Sequence, residues 1–175
     1  MKLIDLFHHD VSGLPGKADE SPLFVEEVFE DAQLLDVRIH ALHSVVGVLF
    51  ELRTGNLPRY VGDESINCGV LMLRRATAVA WQGDLTDWTG PVPWPVHSVL
   101  GNIHNGRYEL SLGMGVFKGM TLQLAALKAE FYAGVLPTLT EGIPDYPEHE
   151  DVTGLVAGWD MDFLPTFGWY VDPTK

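Results

Sequence analysis

Histidine is the residue type with the clearest potential for chemistry in this 175-residue chain, which contains seven histidines. His40 and His43 have a spacing that would align them on one face of a helix, but the local pattern is that of a strand, which turns them to opposite faces. The remaining histidines, among them His8 and His9, have no cysteine or carboxylate at the spacing of a metal site. The sequence therefore predicts surface or hydrogen-bonded histidines, with no metal site and no cofactor.

Catalytic motifs give no stronger signal. A serine hydrolase needs the nucleophile elbow G-x-S-x-G, which does not occur in the sequence. Gly113, Gly115 and Gly119 lack the lysine-serine pair that closes a phosphate-binding loop. The sequence thus predicts no catalytic residue and favours a protein that is not an enzyme.

Basic side chains form a second group of candidates. Four of the eight lysines and arginines between residues 37 and 140 lie between Arg53 and Arg75. If the strands that carry them pair, these arginines either neutralise acidic parts of the chain or form a small anion site. The polar groups that would line a pocket on the concave face of the sheet are His43, Arg53, Arg75 and Glu130.

The net charge of −13 is concentrated at the two ends of the chain. Residues 1–36 and residues 141–175 each carry a net charge of −7, whereas residues 37–140 carry +1. This distribution argues against nucleic acid and anionic membranes as partners and favours a basic protein. The residues expected to contact such a partner are those of the acidic, aromatic C-terminal segment: Trp159, Asp160, Asp162, Trp169 and Tyr170.

The elements that must position these residues are mostly strands. Two apolar stretches between Val45 and Trp81 alternate with the period of two that is typical of strands, and residues 33–42 show the same pattern. Asn105-Gly106 predicts a hairpin. Ser21-Pro22 predicts the start of a helix that runs to about residue 32. The segment 120–136 is compatible with helix by propensity, but its short connection to the preceding strand favours a strand.

These elements predict one α+β domain, dominated by β-structure, that spans residues 1–175. It would comprise an N-terminal helical segment at 1–32, an antiparallel sheet at 33–140 and a C-terminal segment at 141–175 that docks on the sheet. The sheet would be a sandwich or a half-open barrel. No signal peptide or membrane-spanning stretch is evident, and the single Cys68 fits a reducing cytoplasm.

Three segments resemble a family of uncharacterised bacterial proteins. These are a G-x-L-F-[DE]-L-R strand at 47–53, an apolar strand ending in tryptophan at 69–81, and an A-E-F-Y-x-G segment at 129–134. The resemblance covers residues 33–160 and implies no biochemical activity. In size and charge the chain is also similar to the immunity proteins that neutralise toxins of interbacterial competition.

Three functional hypotheses follow. The first is a cytoplasmic, non-enzymatic protein-binding module of the immunity type, which uses an acidic surface. The second is a small-molecule-binding protein or an enzyme with a pocket on the concave face of the sheet. The third is a homo-oligomer formed through an exposed strand edge.

Overall fold

Seven strands form one antiparallel sheet in the computed structural model, which describes residues 1–11, 13–16, 21–25, 27–29, 31–53, 65–83, 94–114, 119–139 and 156–174. The prediction of a β-dominated antiparallel fold is confirmed. The strands are β1 (Gln33–His40), β2 (Val45–Glu51), β3 (Cys68–Gln82), β4 (Trp94–His104), β5 (Arg107–Met114), β6 (Met120–Val135) and β7 (Leu164–Val171).

The sheet closes on itself. Its strand order is β3-β2-β1-β4-β5-β6-β7, and β3 also pairs with β6, so that six of the strands form a ring. One joint of the ring is short: within the described part of the chain, β1 and β4 share the pairs Gln33 with Pro95 and Leu34 with Trp94. Of the two predicted architectures, this arrangement is closer to the half-open barrel.

The longest paired ribbon of the sheet is formed by β3 and β6, and β2, β5 and β7 each pair directly with it. The two strands pair from Cys68 with Gly134 to Gln82 with Thr121. Along β6, the edge that faces away from β3 receives β5 over residues 120–126 and β7 over residues 129–135. Alternate side chains of the ribbon therefore point into two separate hydrophobic clusters.

The first cluster fills the inside of the ring and includes Phe50, Leu71, Leu112, Phe131 and Trp169. The second lies on the outer face, where the N-terminal residues 3–7 and the C-terminal residues 157–163 cover it; among its members are Leu6, Phe7, Met72, Trp159 and Phe163. Because residues 68–73 of β3 contribute to both clusters, this part of the strand is buried on both faces, whereas residues 74–82 are partly or fully exposed.

The predicted N-terminal helix does not form. Ser21 does begin a turn, since its carbonyl oxygen accepts hydrogen bonds from the N–H groups of Phe24 and Val25. The carbonyl of Leu23, however, accepts a 2.6 Å hydrogen bond from the Tyr108 hydroxyl, and Asp31 has a positive φ of 58°. The segment is thus held against β4 and β5, and of its described residues only Glu27–Phe29 form a regular element, a 3₁₀ turn.

Two further 3₁₀ turns lie within the described ranges, at Leu3–Phe7 and Ala41–His43. In the part of the chain that the structure describes, no helix is long and apolar enough to cross a membrane.

Two other predictions from the sequence are confirmed. His104 pairs with Arg107 across the Asn105-Gly106 turn, where both turn residues have positive φ, so the hairpin is confirmed. Residues 120–135 form a strand, as the sequence favoured. The loops that the sequence predicts at 54–66, 83–95 and 142–151 lie mostly or wholly outside the described residues.

Candidate functional site

A buried charged cluster lies where the N-terminal segment crosses β3 and β6. Glu130 of β6 is fully buried, which is rare for a carboxylate unless a cation pairs with it. Its Oε2 lies 2.8 Å from Nε of Arg74 and its Oε1 lies 2.5 Å from Nζ of Lys128. The sheet itself brings these groups together, because Arg74 of β3 is the direct cross-strand partner of Lys128.

Two tyrosines complete the surroundings of the carboxylate. The Tyr132 hydroxyl donates a 2.9 Å hydrogen bond to Oε2 of Glu130 and accepts one of 3.3 Å from the N–H of Val11. The Tyr170 hydroxyl donates to the carbonyl of Val11. Burial, and then the negative charge of Glu130, raise the pKa of both hydroxyls above the usual value for tyrosine. Both tyrosines therefore act as neutral donors across the neutral pH range.

Asp10 connects the cluster to the N-terminal segment. Its carboxylate lies 2.8 Å from Nε of Arg74 and 3.1 Å from Nζ of Lys128. Arg74 also donates to the backbone carbonyls of Leu6 (3.0 Å) and His9 (3.2 Å). Although burial alone would lower their pKa values, the two carboxylates raise the pKa of Arg74 and of Lys128. Two cations thus balance two anions, and the cluster holds residues 6–11 against the sheet.

The four residues proposed for a polar pocket are not brought together. His43 precedes β2 and Arg53 follows it, so they lie near opposite ends of a seven-residue strand. Arg53 forms an exposed ion pair of 2.7 Å with Asp31. Arg75 is exposed at an irregularity of β3, where its φ is 53°, and Glu130 is paired instead with Arg74.

The five C-terminal residues proposed as a binding surface divide into two groups. Trp159 and Trp169 are 6% and 2% exposed and belong to the two hydrophobic clusters, so they pack the fold. The indole N–H of Trp159 donates a 2.6 Å hydrogen bond to Asp36. Asp160, Asp162 and Tyr170 are exposed.

The N-terminal and C-terminal parts of the chain meet in a terminal seam, formed by residues 1–4 and 159–163. The N–H of Leu3 donates a backbone hydrogen bond of 3.1 Å to the carbonyl of Met161, and the N–H of Ile4 donates one of 2.7 Å to the carbonyl of Trp159. In the opposite direction, the N–H of Phe163 donates to the carbonyl of Met1 at 2.7 Å. Segments about 160 residues apart in sequence therefore lie side by side over the second hydrophobic cluster.

Three histidines also come together, which the sequence did not predict. The ring centres of His40 and His43 are 4.6 Å apart, and that of His8 lies 5.5 Å from the first and 5.8 Å from the second. The strand pattern had placed His40 and His43 on opposite faces, which is wrong because the chain makes a 3₁₀ turn at Ala41–His43. Their i,i+3 spacing was the correct signal. As the side chains stand, no set of three His, Cys, Asp or Glu within the described ranges is arranged to hold a metal ion.

A cleft of about 360 Å³ opens where the segment before β1 runs beside β4. This segment is attached to the β4–β5 hairpin at two points, by the hydrogen bond from Val96 N–H to the Ala32 carbonyl and by that from Tyr108 to Leu23. The cleft lies near the first attachment and is lined by Glu27, Phe29, Asp31, Val96, His97, Ser98 and Val99. None of the four predicted pocket residues lines it.

Cys68 has no chemical role in this arrangement. The thiol is fully buried in the second hydrophobic cluster, and burial raises its pKa well above the usual value, so the reactive thiolate is disfavoured.

Comparison with known proteins gives no match: no protein-family model, no curated protein and no solved structure matches the chain.

Proposed function

We propose that this protein is a non-enzymatic protein-binding module that presents an acidic surface to a basic protein partner. Neutralisation of a toxin by an immunity-type protein is the most specific form of this proposal. The observation that supports it best is the terminal seam, because it presents the exposed Asp160 and Asp162 of the acidic C-terminal segment.

The charges near the seam support this assignment. Residues 1–11 and 156–163 carry four aspartates and one lysine. Asp10 is neutralised by Arg74 and Lys128, whereas Asp160 and Asp162 are exposed. A surface of this kind steers a basic partner into contact and makes the association sensitive to salt.

The buried charged cluster favours binding over catalysis. Every charged group in it lies between 2.5 and 3.1 Å from a group of opposite charge. A general base must be able to reach the proton that it removes, and Glu130 is enclosed by its own partners. Its geometry fits the attachment of the N-terminal segment.

The test is a pull-down from bacterial lysate at about 50 mM and about 500 mM salt. The charge-reversal variant Asp160→Lys/Asp162→Lys is compared with the control Glu27→Lys/Glu109→Lys, which makes the same change in net charge away from the seam. We expect a basic protein that the wild type and the control retain at low salt, and that high salt or the seam variant releases. If no protein is released selectively by the seam variant, the proposal is wrong.

The cleft supports a second candidate, a small-molecule-binding protein. Its volume is at the lower end of the range for ligand pockets, and two carboxylates together with His97 and Ser98 line it. Such a lining suits a cationic or hydroxylated ligand. A thermal-shift screen of small amines and sugars tests this candidate, and the variant Ser98→Trp, which fills the cleft, is screened in parallel. A ligand that stabilises the wild type but not Ser98→Trp supports the second candidate. The acidic-surface proposal predicts no such ligand.

A further inference from the structure

We propose that His8, His40 and His43 form a binding site for a divalent transition-metal ion, with Zn²⁺ as the reference ion. This inference is independent of the proposed function. It rests on the geometry of three imidazoles that come from different parts of the chain: His8 follows the Leu3–Phe7 turn, His40 ends β1, and His43 ends the Ala41–His43 turn.

The spacing of the rings matches that of a tris-imidazole centre. An imidazole nitrogen lies about 2.1 Å from zinc and the ring centre about 1.2 Å farther out, so two rings on one ion have centres about 4.7 Å apart at a right angle and about 5.4 Å apart at the tetrahedral angle. The three observed separations are 4.6, 5.5 and 5.8 Å. The rings are therefore already at the separations that a shared ion requires.

What the rings lack is orientation. The plane of His8 is almost perpendicular to those of His40 and His43, at 85° and 89°, and the nitrogens do not yet converge. Rotation about the Cβ–Cγ bond redirects the nitrogens and moves the ring centre very little, because the centre lies close to that axis. His8 and His43 are exposed and can make this rotation on the surface. In the proposed site, the nitrogens of these two rings reach the ion by rotation about this bond.

His40 supplies a ring nitrogen that is available as a ligand. Its Nδ1 is shielded from solvent and has no hydrogen-bond partner among the described residues. A buried ring nitrogen without a partner is unfavourable, so a half-turn of the ring that exposes this nitrogen to an ion improves its surroundings. Among the described residues, the ring of His40 contacts the rings of Phe7, His8 and His43.

The donor set determines the class of ion. Three imidazoles favour Zn²⁺, Ni²⁺ or Cu²⁺ over Mg²⁺ and Ca²⁺, which prefer oxygen ligands. The chain's charge of −13 attracts divalent cations whatever their chemistry, so selectivity among them has to come from the histidines. An ion held there would also fasten the N-terminal segment to the β1–β2 hairpin.

Isothermal titration of the full chain with ZnCl₂ at about pH 7.5, where imidazole is mostly neutral, tests the site. MgCl₂ serves as the control ion. Two single variants, His8→Ala and His43→Ala, each remove one exposed ligand. The control variant is His104→Ala, because His104 is exposed on the β4–β5 hairpin and has no ring contact with the cluster. Urea unfolding without metal verifies that each variant is folded.

We expect one Zn²⁺ per chain, no saturable Mg²⁺ binding, and affinity lowered about tenfold or more by each ligand variant but unchanged by His104→Ala. Bound Zn²⁺ should also raise the unfolding midpoint of the wild type more than that of either ligand variant. No saturable Zn²⁺ binding, or binding that His8→Ala and His43→Ala leave intact, would overturn the proposal.

Discussion

Removal of the Arg74 guanidinium tests whether the buried charged cluster is the main attachment of the N-terminal segment. Arg74→Met keeps most of the side-chain volume but leaves Glu130 fully buried with one of its two cations gone. Breaking a buried ion pair from one side typically costs about 3 to 5 kcal/mol. Lys128 remains at 2.5 Å, which favours the lower end, while the lost hydrogen bonds to Leu6 and His9 add about 1 kcal/mol each.

We therefore expect Arg74→Met to lower the free energy of unfolding by about 5 kcal/mol. The control is Arg53→Met, since Arg53 and Asp31 form an ion pair of nearly equal length, 2.7 Å, with side chains that are 38% and 47% exposed. Exposed pairs contribute about 0 to 1 kcal/mol, so the control should change stability by no more than that. The two variants make the same substitution, one in a buried charged cluster and the other in an exposed ion pair.

Urea unfolding followed by tryptophan fluorescence measures both changes, and the double variant Arg74→Met/Glu130→Gln isolates the ion pair. With the buried carboxylate neutralised, loss of Arg74 should cost about 2 kcal/mol less than it does in the wild type. The reasoning is refuted if Arg74→Met costs no more than Arg53→Met, or if the effects of Arg74→Met and Glu130→Gln add within about 0.5 kcal/mol.

Two further predictions concern the sheet edge and alkaline pH. Gly101→Ala should destabilise the protein by about 2 kcal/mol or more in the same urea assay, because the added Cβ would lie 1.8 Å from the Leu23 carbonyl oxygen. Gly106→Ala is the control: it lies in an open turn and should cost about 1 kcal/mol. Stability should also fall as the pH rises above about 10, since the raised pKa values of Tyr132 and Lys128 mean that the folded protein binds more protons than the unfolded chain. Unfolding midpoints that stay constant between pH 9 and 11 would contradict this.

The strands could be predicted from sequence because their signal is local. Alternation identified β1, β2 and the first half of β3, and Asn105-Gly106 fixed the β4–β5 hairpin. The helix after Ser21 was predicted with equally good local signals, and its first turn does form. What prevents the rest is a tertiary contact, the hydrogen bond from Tyr108 to the Leu23 carbonyl, which no local pattern contains.

The candidate sites were less predictable because they depend on register. Glu130 was recognised as a candidate polar group, but the choice between Arg74 and Arg75 as its partner depends on a local irregularity of β3 that turns Arg75 outward. The terminal seam joins residues about 160 positions apart, and no local signal predicts such a contact. The histidine cluster could have been found from the i,i+3 spacing, had the turn after β1 been recognised.

The long reach of the terminal seam has a consequence for the order of folding. During synthesis, residues 1–11 leave the ribosome well before residues 156–171, on which they pack, and contacts of such sequence separation form slowly. Arg74 and Lys128 become neighbours as soon as β3 and β6 pair, so Glu130 can acquire its cations while it is still in contact with water. We expect its dehydration, and the closure of the N-terminal segment over it, to be among the last steps by which the chain reaches its native state.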